Sequence, residues 1–221
     1  MNTKRDSEPR ELLAARDVTG LIAWAGSTRG ALSRLLSLTF DTDALIRWRA
    51  VEAIGRTAGM LAGDDVERVR GLIRRLLWLT NDESGAVGWH APETIGEILV
   101  NVPSLIGEYG VLLTGFYRRA PFERGSHLAV YRVACVDRAP FVQSAPELAD
   151  SLGSPDAFVR GHAALALAAI GVPSHRPAIE TLREDPAPVR SYDFDTGLLQ
   201  ATTVGRMAER AVELLDATTE A

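Results

Sequence analysis

The chain contains a copy of part of itself. Residues 34–55, RLLSLTFDTDALIRWRAVEAIG, and residues 75–96, RLLWLTNDESGAVGWHAPETIG, align without a gap 41 residues apart, and 11 of the 22 positions are identical. Each copy places apolar residues at helical spacing on both sides of a short turn that contains an Asp. A period of this length, built from two helices, restricts the chain to an array in which each unit buries its apolar face only by stacking on the next. The expected fold class is therefore all-α, an α-α superhelix of about five helical hairpins.

Composition narrows what such an array can do. The 221 residues are 46% hydrophobic, enough for one substantial core. Basic residues number 24 against 29 acidic ones, net −5. Phosphate neutralisation dominates nucleic-acid affinity, so this balance argues against DNA or RNA as the main partner. The single cysteine, Cys135, excludes an internal disulfide and a Cys-based zinc site within one chain, which fits a reducing compartment. Its apolar neighbours give the expectation of a small buried side chain in mid-helix. The N-terminal stretch is charged and has no apolar core of the signal-peptide kind, and the longest strongly apolar run, around Ala163–Val172, falls well short of the roughly 20 residues that span a bilayer. The expectation is a cytoplasmic protein without membrane insertion.

Residues 1–28 read as an N-terminal capping helix, 29–216 as the array, and 217–221 as a frayed tail. The units fall near 29–60, 64–101, 103–140, 145–172 and 174–216. In the first, Asp41 or Asp43 can cap a second helix over 43–59. The second has helices over 65–79 and 86–101, joined by NDESG, a turn able to cap through Asp82 or Ser84. The third has a helix over 103–119 and another from near Leu128; in the fourth, Asp156 is the expected N-cap. The fifth has a helix over 174–184, a loop EDPAPVRSYDFDTG, and a last helix over 197–216. Ala50, Ala91 and Ala163 fall where the second helix of a unit must pass close to the first, and Gly55, Gly96 and Gly171 near helix ends or close contacts.

The strings IRWRAVEAIG and FVRGHAALALAAIG resemble the second-helix signature of HEAT repeats, in particular the short HEAT-like repeats of the phycobilisome-lyase type. The resemblance covers residues 30–171 best, and it speaks for fold more than for activity. It implies a ladder between neighbouring repeats in which Asp41 with Arg47, and Asp156 with Arg160, take part; the second repeat departs from it, with Gly88 in the arginine position. It also implies that the second helices, here called helices B, line the binding surface.

That departure draws attention to NDESGAVGWHAPETIGEI. Two glycines flank the expected helix start, Trp89 follows, and Pro92 sits in the first turns. His90, Glu93 and Glu97 share one helical face, and Glu52 holds the place of Glu93 one repeat earlier, about 10 Å away at the usual helix spacing. The candidate binding groove comprises Trp48, Arg49, Glu52, Asp82, Glu83, Trp89, His90, Glu93, Glu97, Tyr131 and Arg132. Trp48, Trp89 and Tyr131 can form an aromatic strip for a planar ligand or a partner's anchor, or fill the seam between helices. Glu52 and Glu93 can hold a cation or a proton, or pair with Arg47, Arg49, Arg56 or Arg132. The loop VRSYDFDTG, with two acids, a Tyr and an Arg, is long for a HEAT turn, and long turns often carry binding residues.

No catalytic residue, cofactor or metal ligand set is assigned. His90, His127, His162 and His175 are followed by Ala, Leu, Ala and Arg, so the His-Glu dyads of HEAT-fold deoxyhypusine hydroxylases are absent, and no Ser/His/Asp arrangement, P-loop or dinucleotide glycine motif occurs. The favoured reading is a non-catalytic interaction module that binds an unidentified protein or peptide on the helix B face of repeats one to three. The alternative is a small-molecule-handling or enzymatic HEAT protein, similar to the bilin-handling lyases or, with less support from the acidic balance, to HEAT-like alkylpurine DNA glycosylases.

Overall fold

The computed structural model describes residues 3–81 and 90–220. The NDESG turn and the start of the second repeat's helix B, including Asp82, Glu83 and Trp89, lie outside the described residues.

Twelve α-helices and one hairpin follow in order among the described residues: α1 (Thr3–Ala15), α2 (Val18–Ser27), α3 (Ala31–Leu38), α4 (Ala44–Ala62), α5 (Val66–Leu79), α6 (Ala91–Asn101), α7 (Ile106–Tyr109), α8 (Glu123–Ala134), α9 (Ala145–Asp150), α10 (Ala157–Ile170), α11 (Arg176–Glu180), β1 (Pro188–Asp193), β2 (Leu198–Thr203) and α12 (Val204–Glu220). The fold is a stack of helical pairs. Helices α4, α6, α8, α10 and α12 pack each on the next as one row, with α3, α5, α9 and α11 against their outer side.

Local chemistry explains the element ends. Asp43 and Asp156 cap α4 and α10, accepting from Leu45 N at 2.8 Å and Phe158 N at 2.9 Å. Gly171 closes α10 at φ +78, the left-handed conformation that a side chain disfavours. Within the row, small residues set the spacing. A Cβ on Gly55 would lie 2.7 Å from the carbonyl oxygen of Glu97, and one on Gly96 would lie 2.7 Å from Cβ of Ala129. The glycines shared by the two copies are thus the points where α4 meets α6 and α6 meets α8. Sandwiched in this way, α6 is buried from Ala91 to Leu99, and α10 at every position from Gly161 to Ile170.

The repeats are tied by arginine-carboxylate rungs in a different pairing from the one the resemblance implied. Arg47 donates to the carbonyl oxygens of Asp41 (2.7 Å) and Thr42 (3.1 Å) in its own turn, while the Asp41 carboxylate is taken by Arg10 of α1 at 2.8 Å. Likewise Arg160 donates to Ser154 O at 2.7 Å and reaches forward to Asp185 at 2.7 Å, leaving Asp156 to Arg124 of the preceding unit at 2.6 Å. The side chain is long enough to brace its own turn and cross to the next unit, so each carboxylate is paired from the preceding segment.

Four local expectations are corrected. The N-terminal helix is two helices, broken where Arg16 adopts φ +52. The expected helix over 103–119 is a chain of short pieces: 3-10 turns at Pro103–Leu105 and Gly110–Phe116 around α7, because Gly107, Gly110 and Gly115 weaken a continuous helix. Cys135 is exposed at the C-cap of α8. The loop over 184–197 and the first turns of the expected last helix form instead the antiparallel hairpin β1–β2, with Pro188 opposite Thr203 and Asp193 opposite Leu198. Its turn is fixed by Asp193, whose carboxylate accepts from Asp195 N (2.9 Å) and Thr196 Oγ1 (2.9 Å), and by Gly197 at φ +68.

Candidate functional site

The hairpin decides what the helix B face looks like. Val189 and Tyr192 of β1 and Phe194 of the turn are buried against the row. Trp48 of α4 stacks on Tyr192 with ring centroids 5.8 Å apart and planes 5° from parallel. Phe194 meets both rings edge-on, at 6.4 Å from Trp48 and 4.9 Å from Tyr192, and His90 approaches the other side of Trp48 at 5.3 Å. The four rings form one cluster, with edge-to-face and stacked pairs of the kind that ring quadrupoles favour.

Beneath it lie three buried carboxylates. Glu52, Glu93 and Glu97 retain 4%, 6% and 3% of their exposure, so each requires partners to remain charged. Glu52 accepts from the Tyr192 hydroxyl at 2.6 Å and from Arg16 at 3.3 Å, with Arg56 at 3.9 Å. Burial, reinforced by the neighbouring Glu52 carboxylate, pushes the Tyr192 hydroxyl well above its ordinary value, which keeps it a donor. Glu97 accepts from Arg132 of α8 at 2.7 Å; burial pushes its carboxyl up and Arg132 offsets part of that. Glu93 has one oxygen 3.2 Å from His90 Nδ1, while its other oxygen is buried without a hydrogen-bond partner among the described residues and packs against Gly125, where a Cβ would have no room.

Arginines grip the hairpin's main chain. Arg16, turned inward by its left-handed backbone, donates to Phe194 O at 2.8 Å and Asp195 O at 3.0 Å. Arg49 donates to Gly197 O at 3.2 Å and, at the end of α1, to Leu13 O and Ala14 O at 3.0 and 2.7 Å. Arg132 lies over the Phe194 ring, 4.3 Å from its centroid, a cation-π contact.

Of the residues singled out in the sequence, the structure brings Trp48, Arg49, Glu52, His90, Glu93, Glu97 and Arg132 into this one region. Tyr131 makes no ring contact with the cluster among the described residues; it lines an adjoining cavity together with Arg132, Tyr192 and Phe194. Asp82, Glu83 and Trp89 are outside the described residues. Sequence reasoning missed Arg16, Tyr192 and Phe194 as members. Only the unusual length and the Tyr and acids of the loop hinted at the last two, and nothing local distinguished Arg16. Among the described residues no three His, Cys, Asp or Glu side chains converge as a metal site would require, and no single helix is long and apolar enough to cross a membrane.

No protein-family model matches the chain, and neither does any curated protein. Among solved structures, the chain is similar to an engineered protein from the Northeast Structural Genomics Consortium, with a TM-score of 0.58 and 18% identity over 96% of this chain and 90% of that one. It also matches an archaeal HEAT-like repeats protein from Thermococcus onnurineus NA1 at a TM-score of 0.42 and 14% identity, over 97% of this chain and 98% of that one. At these identities the first likeness speaks for the fold alone.

Proposed function

We propose that the protein is a non-catalytic helical-repeat interaction module whose helix B face, in repeats one to three, holds a polypeptide segment carrying aromatic side chains. The observation that supports this is how that face treats the chain's own hairpin. Arg16 and Arg49 take three main-chain carbonyls, Trp48 and Arg132 take two aromatic rings, and Glu52 takes a phenolic hydroxyl. Main-chain hydrogen bonds for affinity and side-chain pockets for specificity are how repeat arrays and sheet edges hold peptides. A partner segment then competes with the hairpin for Trp48 and Glu52 or extends its aromatic cluster beyond His90.

The test uses the full chain and a synthetic peptide of residues 188–203. A Tyr192→Ala/Phe194→Ala variant, checked by circular dichroism for native helix content, should bind the peptide more tightly than the wild type does. Adding Trp48→Ala/Glu52→Ala to that variant should abolish binding. Should the folded variant bind the peptide no better than the wild type, the helix B face is a packing surface for the hairpin and not a recognition surface.

A further inference from the structure

The hairpin, α8, α10 and α12 border a cavity of about 200 Å³ whose lining includes Arg132, Tyr192 and Phe194 of the helix B cluster. It is below the roughly 300 Å³ at which pockets for drug-sized ligands begin, so its occupant is small. Leu128, Leu165 and Met207 give it an apolar floor.

Its polar wall is rich in donors. Arg206 and Arg210 lie one turn apart on α12, both exposed and both lining the cavity, and among the described residues neither guanidinium has a hydrogen-bond or ion-pair partner. Like charges at this spacing repel only weakly, and the Asp193 carboxylate of the lining lies near enough to interact with Arg210. That carboxylate makes its hydrogen bonds within the hairpin turn, accepting from Asp195 N, Thr196 N and Thr196 Oγ1, so both guanidiniums keep their donors available. Asp195 is exposed at the hairpin tip. Arg132 is paired with Glu97.

The buried polar group of the lining is His162. Its Nδ1 is 2.9 Å from Phe158 O, and a carbonyl can only accept, so Nδ1 carries the proton and Nε2 accepts from the Ser191 hydroxyl at 3.2 Å. That leaves Ser191 with its oxygen toward the cavity. The pairing has the outline of a serine nucleophile and its base, but burial lowers the His162 imidazole to about 4, which makes it too weak to take a serine proton near neutrality.

We infer that this cavity is a binding site for a small organic anion, a carboxylate or phosphate group on an apolar body, with Arg206 and Arg210 clamping the charged oxygens and the Leu128, Leu165 and Met207 floor taking the body. The cavity shares Arg132, Tyr192 and Phe194 with the helix B cluster, but the anion clamp uses none of these, so the inference does not rest on the helix B reading.

Isothermal titration and amide NMR on the full chain at low salt test it, with phenyl phosphate and phenylacetate as probes and benzyl alcohol as the neutral control. At least one anion should bind saturably and shift the amides of Ser191 and Gln200, while benzyl alcohol does not; the tighter anion distinguishes phosphate from carboxylate. Arg206→Gln/Arg210→Gln, both at exposed positions, should weaken that binding about tenfold or more at an unchanged melting temperature, as expected for lost charge-assisted hydrogen bonds. The inference is overturned if neither anion saturates, if the double variant binds as well as the wild type, or if the shifted amides lie away from the hairpin.

Discussion

The Tyr192 hydroxyl donates to Glu52 across 2.6 Å and 140 residues of sequence, and with the bond from Arg49 to Gly197 O it joins the C-terminal hairpin to α4 of the first unit. It closes the stack on itself, since the hairpin also touches α8 through Phe194 and Arg132. Replacing the donor leaves a buried carboxylate with fewer partners. Tyr192→Phe should therefore destabilise the protein by about 1–3 kcal/mol in urea unfolding. A double-mutant cycle with Glu52→Ala isolates the pair: the cost of Tyr192→Phe should shrink clearly in that background, and an equal cost in both would mean the bond contributes nothing.

Glycines in the helix row and on its outside should respond in opposite directions. Gly96→Ala forces a methyl against Ala129 and should cost about 1–3 kcal/mol, as overpacking does. Gly55→Ala meets the carbonyl of Glu97 and should behave in the same way. Gly71, exposed on α5, has nothing within 4 Å of an added Cβ, so Gly71→Ala should raise stability by about 0.5–1 kcal/mol through helix propensity. Thermal midpoints of the three variants make the comparison.

The rungs between repeats should not be equal. Arg160 is largely buried and joins Asp185 to the carbonyl of Ser154, and Arg160→Ala should cost about 1.5–3 kcal/mol. Arg124, whose side chain is mostly in solvent, should cost no more than about 0.5–1 kcal/mol on the same substitution despite a bond of 2.6 Å to Asp156. Similar losses from both would show that burial does not grade the ladder.

His162 gives stability a pH dependence with a defined sign. Burial lowers its imidazole from 6.5 to about 4, so between these values the unfolded chain takes up the proton and the folded chain does not. The contribution is complete above pH 6.5 and is lost as the pH falls toward 4, a loss of up to about 3 kcal/mol. His127, lowered in the same direction by burial, adds to it, whereas Glu97, raised by burial, acts oppositely at the acid end. Unfolding curves from pH 7.5 to 4.5 should flatten in His162→Gln relative to wild type, and an unchanged slope would assign the dependence to other groups.

Repetition, apolar spacing and capping were legible in the chain because they act over a few residues. The copy at 34–55 and 75–96, the caps at Asp43 and Asp156 and the glycines at 55 and 96 each depend on neighbours one turn or one repeat away. Those interactions fix a stack of helical pairs, and they place Trp48, Glu52, Glu93 and Glu97 on its helix B face. The fate of that face depended on contacts of another range. Residues 188–203 pair as a hairpin only where the helix row offers Trp48 for Tyr192, Arg132 for Phe194, and the guanidiniums of Arg16 and Arg49 for the carbonyls of the turn. Read alone, that segment is a polar loop with a few strand-forming residues. Burial of Tyr192 and Phe194 tips it into a hairpin, because two strands become stable only once packed on a surface. The exchange of carboxylates along the ladder has the same origin: the sequence supplies an Asp and an Arg in the first and fourth units, and the rise from one unit to the next determines which carboxylate each arginine meets.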